Sequence, residues 1–152
     1  MPAARRVWCS CTTIDYLKGE PRAKPHCDLI INDCIAGNVE IVVSVLSHIE
    51  VAKVGNLTDD DAEARIQEFF NRPYVVSATI DLAVAREARR LVRTYSGLKP
   101  LDAVHVATAL RWNIPILETY DDQMIGIVNG REGNQPLVVR HPTYEGTMPL
   151  FT

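Results

Sequence analysis

Short runs of consecutive apolar residues alternate along this chain with longer stretches in which apolar residues return every three or four positions. Val7-Trp8-Cys9, Glu40-Ile41-Val42-Val43, Tyr74-Val75-Val76, Ile114 to Leu117 and Leu137-Val138-Val139 are too short for helices, and their β-branched content reads as buried strands. Between them lie helical patterns with recognisable stops. Thr12 or Thr13 caps a helix through Leu17 that Gly19 ends, and Pro21 and Pro25 punctuate the loop after it. His26 to Ala36 carries Leu29, Ile30, Cys34 and Ile35 at helical spacing, with Gly37-Asn38 as its stop. Ser44 is expected to cap a helix with Val45, Ile49 and Ala52 on one face, closed by Gly55. Thr58 before Asp59-Asp60-Asp61 is an acidic helix start, favourable against the helix dipole, and this helix runs to Phe70 ahead of Pro73. Asp81 to Tyr95 is a long helix ended by Gly97, Pro100 opens the helix of Asp102, and Asp122 to Val128 is a short one.

Strands separated by helices imply βαβ units and a mostly parallel sheet covered on both faces. At 152 residues the chain is expected to form one domain, residues 1–152, with 141–152 as an extended tail. A 47% hydrophobic and 23% charged composition is that of an ordinary globular protein. With a net charge of −3, nucleic acid would have to be met by a local basic patch or by metal ions. No apolar run approaches the ~20 residues of a membrane span, and MPAARRVWCS lacks the apolar core of a secretory signal. Four cysteines without zinc spacing fit a reducing cytoplasm.

Candidate chemistry concentrates in acids near element ends. Asp102 starts a small-residue helix, Asp121 and Asp122 follow the strand IPIL, and Glu50 lies in VSVLSHIEVAKVG. Sites in parallel sheets form beyond the carboxyl ends of the strands, so these acids suggest a carboxylate cluster for a hard divalent cation. Each acid has a plainer reading: a dipole-stabilising helix acid for Asp102, a solvated face for Glu50, a turn and cap for Asp121 and Asp122. His105, three residues after Asp102 on the same helix face, could hydrogen-bond near the site, although a structural histidine is the simpler reading. Arg86, Arg89, Arg90 and Arg93 form a stripe on one helix face, suited to RNA phosphates or an acidic partner, or else a solvated face. Tyr16 and Tyr120 could stack on bases, or pack in the core or its rim.

The segments VWCSCTTIDYLKG, VVSVLSHIEVAKV, LDAVHVATAL and ILETYDD, in that order, resemble the PIN-domain family and within it the VapC-type toxin ribonucleases. The resemblance implies a three-layer α/β/α sandwich, Mg²⁺- or Mn²⁺-dependent cleavage of RNA, an antitoxin partner and pairing into dimers. It places the family's acids at Glu50, Asp102 and Asp121, with Asp122 a possible substitute. It also puts the family's first aspartate at Cys9, a soft and mostly protonated thiol where Mg²⁺ selects hard oxygen. Asp15, six residues on, cannot obviously take its place. A single Mg²⁺ on two carboxylates plus waters could still orient a nucleophile.

The leading expectation is therefore a metal-dependent endoribonuclease, impaired or not by Cys9. A catalytically silent PIN domain that binds antitoxin or RNA, and a redox protein using Cys9 and Cys11, are the rivals. A homodimer is expected too, with one member of the Phe69-Phe70 pair in the core and the other at the rim, since neighbouring helical residues point about 100° apart.

Overall fold

In the computed structural model, which describes residues 2–146, five strands alternate with seven helices. They are β1 (Ala4–Trp8), α1 (Ser10–Lys18), α2 (Lys24–Ile35), β2 (Val39–Ser44), α3 (Ser47–Glu50), α4 (Asp59–Phe70), β3 (Val75–Ala78), α5 (Leu82–Thr94), α6 (Pro100–Arg111), β4 (Ile116–Glu118), α7 (Asp122–Val128) and β5 (Val138–Arg140). All strand pairings are parallel, in the order β3-β2-β1-β4-β5. β1 is central, and the chain winds first to one side of it and then to the other. Where a parallel sheet reverses direction, the flanking crossovers leave in opposite senses and open a crevice at the strands' carboxyl ends. Here that crevice lies between β1 and β4.

Alternation along the strands splits the core into two layers. Trp8, Ile41 and Val43 face one side, packed under α1, α2 and α4 with Leu17, Ile30, Ile66 and Phe69. Val7, Val42 and Leu117 face the other, packed under α5, α6 and α7 with Leu91, Val106 and Met124. The α/β/α sandwich read from the sequence is the observed fold.

Element ends follow local chemistry. Thr58 Oγ1 accepts from the Asp61 amide at 3.2 Å, and an Asp81 carboxylate oxygen accepts from the Val84 amide at 2.8 Å, so both side chains cap the helices that follow. Gly19 ends α1 at φ 71°, a left-handed conformation costly for any residue with a Cβ. The first helix departs from expectation: it begins at Ser10, with Cys9 rather than Thr12 or Thr13 at its N-cap.

The helix expected from Ser44 to Gly55 shrinks to the four residues of α3. Ser44 is still in β2, and its Oγ takes the Leu46 amide at 3.1 Å, making a tight turn in place of a helix cap. The apolar face assigned to Val45 and Ile49 is turned outward, with Ile49 75% exposed, while Leu46, Val51 and Val54 enter the core instead. The Phe69-Phe70 expectation fails as well. Both are buried, Phe69 stacked on Trp8 at 6.1 Å and Phe70 on the ring of His48 at 4.0 Å. Neither reaches the rim, so neither supplies a dimer contact.

Among the described residues, one charged side chain is fully enclosed. Glu118, the last residue of β4, has no solvent exposure. It accepts from Arg6 Nη1 at 3.0 Å, Trp8 Nε1 at 3.0 Å and the Thr143 amide at 2.9 Å, with Arg140 Nε at 3.5 Å. Strands β1 and β4 and the segment after β5 are thereby tied to one carboxylate. Arg6 also donates to the Thr143 carbonyl at 3.1 Å, and the Tyr144 amide donates to His26 Nδ1 at 2.9 Å. The start of the expected extended tail thus lies against the body; residues 147–152 fall outside the described chain.

Removing one partner of a buried charged pair leaves the other uncompensated, at a cost of about 3–5 kcal/mol. Glu118→Ala is expected to lower unfolding stability by about that amount in urea titration. Asp28→Ala, which breaks the exposed Lys24–Asp28 pair, should change it by less than about 0.5 kcal/mol. Equal effects of the two substitutions would contradict the place given to Glu118.

Candidate active site

The three acids singled out in the sequence come from different elements. Asp102 lies in the first turn of α6, behind Pro100, whose missing N–H is no loss at a helix start. Asp121 is the N-cap of α7, accepting from the Met124 amide at 3.1 Å. Glu50 ends the short α3 after β2. All three line one cavity of about 290 Å³, together with Cys9, Ser10, Cys11, Ile14, His105 and Thr119. The cavity opens beyond the carboxyl ends of β1, β2 and β4, where the sheet topology leaves its crevice. A larger cavity of about 480 Å³, between α2 and α4, shares no residue with it and holds Arg65 and Arg72 beside Asp28 and Glu68. The chemistry of the acids, not volume, selects the smaller one.

Each carboxylate is conditioned differently. Glu50 accepts from Ser10 Oγ at 2.6 Å and lies 3.3 Å from His105 Nε2. Those hydrogen bonds, the histidine's first, hold its carboxyl below the usual range despite partial burial. Ser10 Oγ is in turn 3.0 Å from Ser47 Oγ and 3.5 Å from His105 Nε2. Asp102 is pushed upward, first by burial and then by the charge of Asp121. Among the described residues, no three His, Cys, Asp or Glu side chains are grouped tightly enough to grip an ion directly.

Cys9 is buried in the pocket, and its thiol is held well above its ordinary value by burial, by Cys11 and by the negative charges of Asp102 and Glu50. It is a neutral S–H at physiological pH and adds no charge for a cation. All four cysteines are free, and burial pushes Cys27 and Cys34 up to about 12. The donor set is one of hard carboxylate oxygens, those of Asp102, Asp121 and Glu50, in one pocket. It does not suit a site that needs a fourth carboxylate at position 9.

Other candidates fall elsewhere. Asp122 is exposed and pairs with His141 at 2.7 Å, so it does not replace Asp121. Asp15 pairs with Arg22 at 2.7 Å, outside the pocket lining. Tyr16 packs edge-on to Trp8, and Tyr120 is buried under Arg22, so both serve packing and neither lines the pocket. Arg86, Arg89 and Arg93 lie on the exposed face of α5. Arg90 is engaged by Glu87 at 2.8 Å and Glu132 at 2.6 Å, which removes it from the stripe's free charge. None of the four lines the pocket.

Sequence reasoning underrated Ser10, Ser47 and His105. Residues just after a central strand sit at a crevice by construction, and that is the available signal for Ser10. Ser47 could be found only through the fold. His105 is 3% exposed, and among the described residues its Nδ1 is buried with no hydrogen-bond partner. An unmet buried nitrogen costs about 1–3 kcal/mol, so this is not the satisfied structural histidine that was expected.

The model of the PIN domain family matches residues 11–128. Among solved structures, a chain of VapBC2 from Rickettsia felis, in a crystal structure with a DNA fragment from their promoter, superposes with a TM-score of 0.65. The two chains are 11% identical, and the match covers 90% of this chain and 97% of that one. No curated protein matches the chain. Among the described residues, no helix is long and apolar enough to cross a membrane.

Asp102 generates a prediction of definite sign. A carboxyl whose pKa is higher in the folded than in the unfolded state binds its proton more tightly when folded. Stability is then greatest at low pH and declines as pH rises from the unfolded value near ~4 through the folded one. Asp102→Asn abolishes that decline. Without metal, the variant is expected to melt with the parent below about pH 4 and above it at pH 7. Scanning calorimetry across that range checks this, and a variant less stable than the parent at pH 7 would contradict the strain assigned to Asp102.

Proposed function

The chain belongs to the PIN-domain family, whose members are generally nucleases, and from that membership we propose that it is a metal-dependent endoribonuclease, the cytoplasmic toxin of a toxin–antitoxin pair. One observation carries the reading: Glu50, Asp102 and Asp121, distant in sequence, line one pocket at the carboxyl edge of the sheet. Asp102 is pushed upward first by burial and then by the charge of Asp121, and a cation would relieve both. Mg²⁺ or Mn²⁺ held there would supply an activated water and neutralise charge on the scissile phosphate.

The chain's own side chains do the rest. Asp102, Asp121 and Glu50 would hold the cation. Glu50, kept ionised by its two donors, orients the attacking water and can accept its proton. Cys9 shapes the pocket wall and contributes no charge. Arg86, Arg89 and Arg93, away from the chemistry, are the surface for RNA phosphates or for an acidic partner.

A protein antitoxin is the proposed partner, in keeping with the two-component complex of the structural neighbour. A homodimer remains part of the reading, but on other residues. Val45, Ile49, Ile80, Leu82 and Leu101 are exposed and follow β2 or β3 or open α6, and they replace the phenylalanines as the candidate contact. Sedimentation at micromolar concentration is expected to give twice the 17.0 kDa chain mass, and a monomer that persists on concentrating would remove the dimer from the proposal.

A second reading is favoured by the protonated thiol: a PIN domain that binds antitoxin or RNA without cleaving it. Cys9→Asp separates the two. With the nuclease reading, the substitution tightens Mn²⁺ binding in calorimetry by about tenfold or more, roughly 1.4 kcal/mol per factor of ten, and raises RNA cleavage. Glu50→Gln and Asp121→Asn should each abolish the parent's cleavage. RNA bound but uncut by the parent at saturating Mn²⁺ would establish the silent reading instead.

A further inference from the structure

We propose that His105 is a positioning residue that, together with Ser10, aims Glu50 into the pocket. The inference deepens the nuclease reading by assigning what holds one of its carboxylates. Glu50 needs such a device because its own element does little to orient it. α3 has four residues, and its preceding residue Ile49 faces solvent. A side chain on so short a helix, with an exposed neighbour on one side, is not confined by packing against a core. Its direction is set by what it hydrogen-bonds.

Both donors come from other elements. Ser10 opens α1 at the end of the central strand, and its hydroxyl donates to Glu50 Oε1 at 2.6 Å. Ser47 Oγ lies 3.0 Å behind it and can donate in turn, since the Ser10 proton is committed to Glu50. His105 enters from α6, with Nε2 3.3 Å from the same oxygen. The tautomer that serves this contact carries its proton on Nε2, leaving Nδ1 as a buried acceptor, and Nδ1 has no partner among the described residues.

That unmet nitrogen argues against packing as the reason for the histidine. The other buried positions of α6 are Ala103, Val106, Ala107, Thr108 and Ala109, and Thr108 satisfies its hydroxyl on the Val104 carbonyl at 2.8 Å. An aliphatic residue at 105 would leave nothing unpaired. A histidine costs stability here and returns only the Nε2 contact. The helix that carries Asp102 thus also fixes Glu50, so two carboxylates of the pocket are placed by one rigid element, one turn apart.

The test compares the parent with His105→Leu, His105→Gln and Ser10→Ala by crystal structure without metal, thermal unfolding and Mn²⁺ calorimetry. His105→Leu is expected to melt at or above the parent and to show the Glu50 carboxylate turned out of the pocket. Its Mn²⁺ affinity should fall by about 10- to 100-fold, the usual effect of losing a group that orients a ligand. His105→Gln, which keeps a donor, should recover most of that affinity, and Ser10→Ala should displace Glu50 partially. Two results overturn the proposal: Glu50 unmoved in the His105→Leu crystal, or a His105→Leu protein that loses stability yet binds Mn²⁺ as the parent does. A parent that binds no Mn²⁺ would instead fail the nuclease reading, while the metal-free crystals still decide what holds Glu50.

Discussion

A single enclosed carboxylate sets the register on which the pocket depends. Glu118 pairs with Trp8 across β1 and β4 and receives Trp8 and Arg6 on its side chain. Its backbone carbonyl meanwhile takes the Cys9 amide at 3.2 Å and the Thr12 hydroxyl at 2.9 Å. The end of the central strand and the end of β4 are therefore held side by side. Cys9, Ser10 and Cys11 come to face Thr119 and Asp121 for that reason. A slip of one residue would turn every side chain of β4 to the opposite face and scatter the pocket. The charged side chain is tolerated in the core because it is fully matched: Arg6 supplies the counter-charge, and Trp8 and Thr143 supply the remaining donors.

The pocket is the reverse of that arrangement. Where both oxygens of Glu118 have donors, Asp102 faces the charge of Asp121, His105 Nδ1 has no partner among the described residues, and Cys9 is kept neutral chiefly by its burial. A fold can tolerate such strain when the surrounding layers over-determine it, and strain of this kind gathers where a ligand is to be bound. The two sites are a few residues apart in sequence, since Glu118 immediately precedes Thr119-Tyr120-Asp121. One strand end thus carries the enclosed Glu118 and, three residues on, the pocket acid Asp121.

Cys9 gives the pocket its individual character. An aspartate at this position would add a hard, charged oxygen; the thiol keeps the shape of a small buried side chain and removes the charge. The three remaining carboxylates must then do with two elements, α6 and α7, and a short helix whose acid is steered by hydrogen bonds. The geometry places the demand for orientation on Glu50, and the supply of it on Ser10 and His105.

The sequence alone was sufficient for the sheet, the order of elements and the candidate acids. Five apolar strand runs, the Thr58 and Asp81 caps and the Gly19 stop report local backbone preference and burial, which depend on nearest neighbours in the chain. The segments VVSVLSHIEVAKV, LDAVHVATAL and ILETYDD, which carry the family resemblance, hold Glu50, Asp102 and Asp121, and these line one crevice because parallel topology sends strand ends to one edge. Tertiary structure decided the rest. Ser44 reads as a helix cap until its burial in β2 is known, and Phe69 and Phe70 read as core and rim until the aromatic layer around Trp8 encloses both. The enclosure of Glu118 depends on Arg6, 112 residues away, and the contact of His105 with Glu50 joins residues 55 apart. Burial and hydrogen-bond satisfaction are sums over neighbours distant in sequence, and no local pattern contains them.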